Sequence, residues 1–406
     1  MNIVKRILLF ILLFIVVISC NEKLFPGVDV PKDDVSSEYD KVTMVIPPVI
    51  FEEDVPETKI DIDYNTMKYL WALTDTVGIF PDQGSQIYFS MSKGVGTSIA
   101  TFDGGGWALK KSSEYFSYFP FVASYYIDKE SIPVSYLGQE QDGNGNLNIG
   151  TLNNYSYMAS KGTADPNTGA LMFTYERLQM PFLFVLPVEP GTYTSLDVCA
   201  GEKVIAVSGK MNAISLDKMI HEAVYDDHLS VSLKNISFTE PSTLIVSATI
   251  PPFNIYGKQL TINLTKSDGT NITSSVFGKD YALGKGYKIA PNFTLSPTFA
   301  ELPGEGGSFD FRITSASSSQ YSVTTDVDWL RIDNSSTSGN AVVTVTASAS
   351  DGSERIGHVI VSEDVTYKET TITLHNKIQV TQNLVGMFIG LGGWDGGDED
   401  YGGVAR

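Results

Sequence analysis

The sequence predicts an all-β protein made of successive β-sandwich units, and three observations carry that prediction. No long stretch between residues 41 and 385 keeps a helical period. Short runs rich in Val, Ile, Thr, Tyr and Phe recur through the same region, broken by Gly, Pro, Asn and Asp, which is the pattern of a sandwich. The chain has 406 residues, enough for about two to four domains. Hydrophobic residues make up 42% of it, so each domain can bury a core.

The strands expected from this pattern include Val42–Val45, Gln86–Phe89, Phe182–Val185, Leu244–Ile250, Gln259–Leu264 and Ala341–Ala347. The helix-permissive pieces, 61–70 and 216–222, are short enough to be connecting turns or small helices. Tyr115, Phe116, Tyr118, Phe119, Phe121, Tyr125 and Tyr126 crowd into twelve residues. They read as a strand whose alternate rings enter a core rather than as a ligand platform. Near Pro297 the composition loses aromatics and gains Ser and Thr, so 294–297 reads as a linker into a new domain. Gly104-Gly-Gly106 has no helix after it to cradle a phosphate and reads as a turn. Asp142-Gly-Asn144-Gly-Asn146 lacks the closing carboxylate of a calcium loop, since Asn153 stands at its twelfth position, and reads as a hairpin turn.

At the N-terminus, Lys5 and Arg6 precede twelve unbroken apolar residues, Ile7 to Ile18, followed by Ser19 and Cys20. This is the shape of a secretory signal peptide. It falls short of the roughly 20 apolar residues a membrane-spanning helix needs. Val17-Ile18-Ser19-Cys20 resembles the lipobox of bacterial lipoproteins, in which the leader is cut before the cysteine and the thiol takes lipid. That resemblance implies a signal peptide over 1–19, lipidation at Cys20, a tether over 20–40 and a place on the outer membrane at the cell surface. If Cys20 carries lipid, Cys199 has no partner for a disulfide, and it reads as a small core residue.

The net charge is −19, and removal of Lys5 and Arg6 with the leader takes it to −21. Such a surface repels a phosphate backbone, so nucleic acid is not expected as a partner. The four histidines show no zinc spacing, and neither a His-Glu-x-x-His nor a Gly-x-Ser-x-Gly motif occurs. No enzymatic activity, cofactor or metal is expected. The Gly- and Asp-rich stretch 386–406, with Asp395, Asp398, Glu399 and Asp400, reads as a solvated acidic tail.

Two family resemblances follow from motifs in order. Trp71-Ala-Leu-Thr-Asp75-Thr-Val-Gly78-Ile-Phe80, Trp107 with Tyr115-Phe-Ser-Tyr118-Phe-Pro120-Phe, Tyr155-Ser-Tyr157-Met158, Phe173-x-Tyr175-x-x-Leu178 with Phe182-Leu-Phe-Val185, and Leu283-Gly-Lys-Gly286-Tyr287 together resemble the fimbrillins, pilins of Bacteroidetes. In this chain Ser156 replaces an acid of the family pattern. The resemblance implies two transthyretin-like, Greek-key sandwiches over 41–165 and 166–292, and partner fimbrial subunits joined by strand addition. Polymerisation in that family follows cleavage after an N-terminal arginine, yet no arginine lies between Arg6 and Arg177. The strand within 41–50 is therefore expected to stay in its own sheet, making this chain an anchor, accessory or tip subunit.

Residues 293–385 resemble a BACON domain, an Ig-like sandwich proposed to bind carbohydrate or mucin. The matches are Gly304-Glu-Gly306-Gly307-Ser-Phe309, Tyr321-x-Val323 with Asp328-Trp329-Leu330, Gly339-Asn-Ala-Val342-Val-Thr-Val345, Glu354-Arg355-x-Gly357-x-Val359-x-Val361 and Ile378-Gln-Val380-Thr-Gln382. The chain departs by about a dozen extra residues between Glu363 and Asn376. The resemblance implies host or dietary glycans as partners, with Trp329 and Tyr321 as the residues to stack on a sugar. The position of Trp329 between strands favours a core role instead. The functions left standing are a lipid-anchored fimbrium-associated adhesion protein, a glycan-binding lipoprotein of a polysaccharide-capture system, and a structural spacer.

Overall fold

A computed structural model describes residues 38–51, 69–110, 112–124, 127–144, 155–162, 170–215, 220–315, 320–334 and 337–383. Among them every regular element is a strand. The expected strands are found, several of them longer than expected: Lys41–Val45, Ile87–Lys93, Met180–Val188, Ser242–Ile250, Gln259–Lys266 and Ala341–Ala347. The piece expected as a turn or small helix near 216–222 ends instead in the strand His221–Asp226.

The first unit is an eight-stranded sheet. Its order is Met172–Thr174, Lys41–Val45, Ile99–Asp103, Ile87–Lys93, Thr76–Pro81, Tyr115–Phe119, Met158–Gly162, Glu176–Arg177. The two outermost strands are consecutive in the chain, so the sheet curls until its edges meet. Trp71 fills the middle, edge-on to Phe102, Phe119 and Tyr175 at 4.9, 5.5 and 5.8 Å between ring centres.

Tyr115–Phe119 is buried on both faces. Tyr115 and Phe119 enter the core of this sheet, whereas Phe116 and Tyr118 enter a second, larger core. A strand lying between two cores has no solvated side, which is why the sequence there is nearly all aromatic. Tyr125 and Tyr126 lie outside the described residues.

The larger core belongs to the second unit. One layer runs Gln139–Asp142, His228–Phe238, Gly191–Cys199, Gln259–Lys266, Asn271–Phe277. The facing layer runs Ser242–Ile250, Met180–Val188, Lys285–Ile289, Ile50–Phe51. Leu196, Val231 and Ile262 of the first layer meet Phe182, Phe184 and Val246 of the second. Segments on either side of the expected boundary at 165 interleave. Met172–Thr174 pairs inside the first sheet, and Gln139–Asp142 pairs with the second. Phe80, Phe116, Tyr118 and Ala159 of the first sheet enter the larger core, so these units are not separable beads.

The third unit is a sandwich of Phe293–Ser296, Gly307–Ser315, Ala341–Ala347 and Leu330–Ile332 against Phe299–Leu302, Thr370–Gln382, Arg355–Tyr367 and Ser322–Thr325. The segment read as a linker is a buried strand. Phe293 and Leu295 are 1% and 0% exposed, and Leu295 pairs with Thr273 of the second unit. One sheet of nine strands therefore runs through both units. The drop in aromatic content marked the start of a new core, not a flexible connection.

The extra residues near Glu363–Asn376 have a definite place. They lengthen a hairpin whose arms, Arg355–Tyr367 and Thr370–Gln382, pair residue for residue over thirteen positions. The far half of this hairpin lies on the second unit. Tyr367 packs on Phe277 (5.5 Å) and under the Lys279 ammonium (4.3 Å). The Gln259 amide both donates to the His375 carbonyl (3.0 Å) and accepts from its N–H (2.8 Å). Ser275 donates to the Asn376 side-chain carbonyl at 2.8 Å.

Under this arm Glu363 is 5% exposed and accepts one hydrogen bond, from Asn292 Nδ2 at 2.8 Å. Burial pushes its carboxyl pKa up, opposed by the Asn292 bond. An acid with a raised folded-state pKa binds protons more tightly when folded. Its stabilisation is complete below the unfolded-state pKa and fades as pH rises through the folded one. Glu363→Gln is expected to melt like wild type near pH 4 and above it at pH 7. Melting curves across that range check this, and equal midpoints at pH 7 would contradict it.

Candidate functional site

In a chain built of sheets, the places open to another chain are the sheet edges, because an edge strand offers unpaired backbone donors and acceptors. The N-terminal strand Lys41–Val45 is not at an edge. It pairs antiparallel with Ile99–Asp103 on one side and parallel with Met172–Thr174 on the other. Alternation sends Val42 and Met44 into the core, at 2% and 0% exposure. After Pro47 and Pro48 the chain crosses to the second unit, where Ile50–Phe51 adds a parallel strand beside Lys285 and Gly286. Ile50 itself is 72% exposed. One segment thus completes the first sheet and adds a short outermost strand to the second unit's four-stranded layer, beside the first two residues of Lys285–Ile289.

The other edge of that layer, Ser242–Ile250, is closed by side chains. The Gln139 amide accepts from Thr249 N–H (2.8 Å) and donates to Thr249 C=O (2.7 Å). The Gln141 amide accepts from Ser247 N–H (2.8 Å) and donates to Ile245 C=O (2.7 Å). The Asn144 amide accepts from Ile245 N–H (2.8 Å) and donates to Thr243 C=O (3.2 Å). A carboxamide carries a donor and an acceptor side by side, as a peptide group does, so three of them stand in for a paired strand. Gln139 and Gln141 are two apart, share one face of their strand, and are 2% and 3% exposed. Sequence reasoning missed this ladder. A polar run, Gln-Glu-Gln-Asp, looks like solvated loop, and only the two-residue repeat of Gln hints otherwise.

Arg177, the first arginine after Arg6, is drawn inward. Its Nη2 donates to the Pro47 carbonyl at 2.7 Å and its guanidinium lies 4.4 Å from the Tyr69 ring centre. The side chain therefore ties the first sheet to the crossing segment.

The two residues proposed to stack on sugar lie in the core of the third unit. Tyr321 is 5% exposed, donates to the Gly339 carbonyl at 3.0 Å and tilts against Phe293. Trp329 is 9% exposed, with the Arg355 guanidinium 4.5 Å from its ring centre. Arg355 Nε also donates to Gln382 Oε1 (2.7 Å), and Gln382 Nε2 donates to the carbonyls of Pro303 (2.9 Å) and Ser348 (3.0 Å). A Cβ on Gly357 would come within 2.9 Å of Trp329 Cζ2 and 2.5 Å of Val327 Cγ2. The spacing Arg355-x-Gly357 and the terminal Gln382 thus form one knot around Trp329. Cys20 and the tail carboxylates lie outside the described residues.

Cys199 is half-buried on the outer face of its strand rather than in the core, because alternation turns Val198 inward. Its Sγ accepts a weak bond from Asn263 Nδ2 at 3.5 Å. Burial, with Asp197 nearby, pushes its thiol up to about 11. Asp226, Asp227 and His228 form a largely exposed cluster in which the hydrogen bond that His228 Nδ1 gives to Asp227 raises the His228 pKa. Trp107, expected near an aromatic strand, stands 71% exposed after the Gly104–Gly106 turn.

No family model matches the chain, and no curated protein matches it. Its structural neighbours include adhesion and fimbrial proteins of Bacteroidetes. A candidate cell adhesion protein from Bacteroides ovatus ATCC 8483 is 11% identical, with 62% of this chain and 91% of that one covered and a TM-score of 0.41. The tip fimbrial protein Mfa3 from Porphyromonas gingivalis is 11% identical over 58% of this chain and 81% of that one, at 0.28. A GH5 xyloglucanase from Bacteroides ovatus is 22% identical over 21% of this chain and 17% of that one, at 0.18.

Proposed function

We propose that this chain is a lipid-anchored cell-surface protein that takes part in a fimbrium as an anchor, accessory or tip subunit for adhesion, and that it does no chemistry of its own. The observation that carries the reading is the position of Lys41–Val45, paired on both sides in mid-sheet. A subunit that polymerises by strand exchange needs a vacant groove, and here the groove is filled by the chain itself. Lys41–Val45 is held inside the first unit's sheet, and the amides of Gln139, Gln141 and Asn144 close the Ser242–Ile250 edge of the second unit's four-stranded layer. The lipobox-like Cys20 supplies the anchor, and acyl chains contribute about 0.8 kcal/mol per buried CH₂.

The third unit, with its BACON-like motifs, is the part displayed. Its extended hairpin fastens it to the second unit through Gln259, Ser275 and Tyr367. That attachment favours rigid display over a swinging spacer. Glycan binding is the second reading, and with Trp329 and Tyr321 in the core it needs a surface other than those two rings.

The test uses residues 21–406, purified without lipid and treated with an arginine-specific protease. The expected product is monomeric by size-exclusion chromatography and shows no filaments by electron microscopy, with 38–51 still attached. In cells, wild type stays with membranes and Cys20→Ala does not. Filaments from uncut protein, or equal labelling of both forms by palmitate, would overturn the reading.

A further inference from the structure

A cavity of about 190 Å³ lies at the seam between the first two units. The crossing segment Pro47–Pro48, Arg177 and Gln179, the loop residue Leu283 and Lys285 at the start of its strand line it. Glu176 lines it too, so that with Lys285 one charge of each sign is present besides Arg177.

Two donors here are left over. Arg177 Nη2 is occupied by the Pro47 carbonyl, but its Nε is buried with no hydrogen-bond partner. No ion pair to a carboxylate involves Arg177 among the described residues, and its guanidinium lies over the Tyr69 ring face. Gln179 is 1% exposed. Its Oε1 accepts from the Tyr136 hydroxyl at 3.3 Å, while its Nε2 is buried without a partner. Buried polar groups are normally hydrogen-bonded and buried charges normally paired, because each unsatisfied group costs about 1–3 kcal/mol and an unpaired charge more. A guanidinium N–H and an amide N–H, each without an acceptor and each on a residue lining one cavity, call for an anion that accepts hydrogen bonds.

We propose that this seam cavity binds a carboxylate, with the Arg177 guanidinium supplying the charge and Gln179 Nε2 a second donor. Arg177 and Lys285 against Glu176 leave the lining with one net positive charge, which a monoanion matches. The volume has room for a carboxylate and a few attached carbons. The same chemistry is offered by a small free organic acid and by the terminal carboxylate of a peptide. Either would join the first sheet, the crossing segment and residues 283–285, and so tighten the seam beside the Ile50–Phe51 strand.

The experiment uses residues 21–406 with ¹³C-formate or acetate, at ionic strength held constant with chloride. Saturable broadening of the carboxylate resonance and a rise in melting temperature, absent with chloride, are expected. Arg177→Met is expected to weaken binding roughly thirtyfold or more, which converts to about 2 kcal/mol. Should that variant fail to fold, Gln179→Glu serves alone. It places a carboxylate inside the cavity, so it is expected to melt above wild type without added acid and to ignore formate. A short peptide acid that competes with formate, where its amide does not, would identify the peptide terminus as the source, and formate binding without such competition would identify free acids. Absence of saturable binding to wild type, or an undiminished formate response in Gln179→Glu, would overturn the proposal.

Discussion

Trp329→Ala unfolds the third unit, at a cost of about 3–5 kcal/mol, the range found for large aromatic side chains truncated to Ala in cores. The ring is 9% exposed and lies under Arg355, against the strand that carries Gly357. Removing it leaves a cavity and also takes away the surface on which the Arg355 guanidinium rests. Arg355 then loses the position from which it bonds Gln382, whose amide holds the Pro303 and Ser348 carbonyls at 0% exposure. The loss does not stop at the third unit. The hairpin that covers Phe277 and Tyr256 is an extension of two strands in the damaged sandwich, so the second unit becomes more exposed as the third opens. Hydrogen exchange resolved by region reads both effects: protection falls first over 293–383 and then along Asn271–Phe277. A variant that melts like wild type yet loses glycan binding would instead make Trp329 a ligand residue.

The parts of this fold that the sequence declares are those with one wet and one dry face. Ala341–Ala347 alternates, and its expected ends match those observed. Tyr115–Phe119 was legible as a buried strand, but not as one serving two cores, since periodicity cannot tell which core each face enters. The dozen extra residues near Glu363 stood out as a departure from a family pattern. Their partners, Gln259, Ser275 and Tyr256, lie about a hundred residues earlier, beyond any local signal. The seam cavity was likewise hidden. Arg177 drew notice only as the first arginine in a long stretch, and its lack of a counter-ion is a property of three segments meeting. Short-range pattern gives elements and faces, whereas the features bearing on function here arise where distant segments close each other's edges.

The amide ladder is the sharpest instance, and it sets the second large effect. Replacing Gln139 and Gln141 with Leu keeps similar bulk and removes four hydrogen bonds to the backbone of Ile245, Ser247 and Thr249. Thr249 is fully buried and Ser247 is 6% exposed, so water cannot replace the lost partners without opening the layer. Each group left unsatisfied costs about 1–3 kcal/mol and each single variant strands two, so the single variants are expected to lose about 2–6 kcal/mol each. The double variant is expected to lose more than either, enough to unfold an ordinary domain of about 5–15 kcal/mol to a measurable extent at room temperature. Where the double variant still folds, Ser242–Ile250 becomes an unpaired edge, and unpaired edges recruit strands from other molecules. Denaturant titration with light scattering on the eluting protein measures both outcomes. A lower midpoint accompanied by dimers or larger species is the expected result. A double variant with the wild-type midpoint that remains monomeric would mean that these amides do not close the edge. In wild type, on this account, three side chains from the first half of the chain keep the second unit's sheet from pairing with a neighbour.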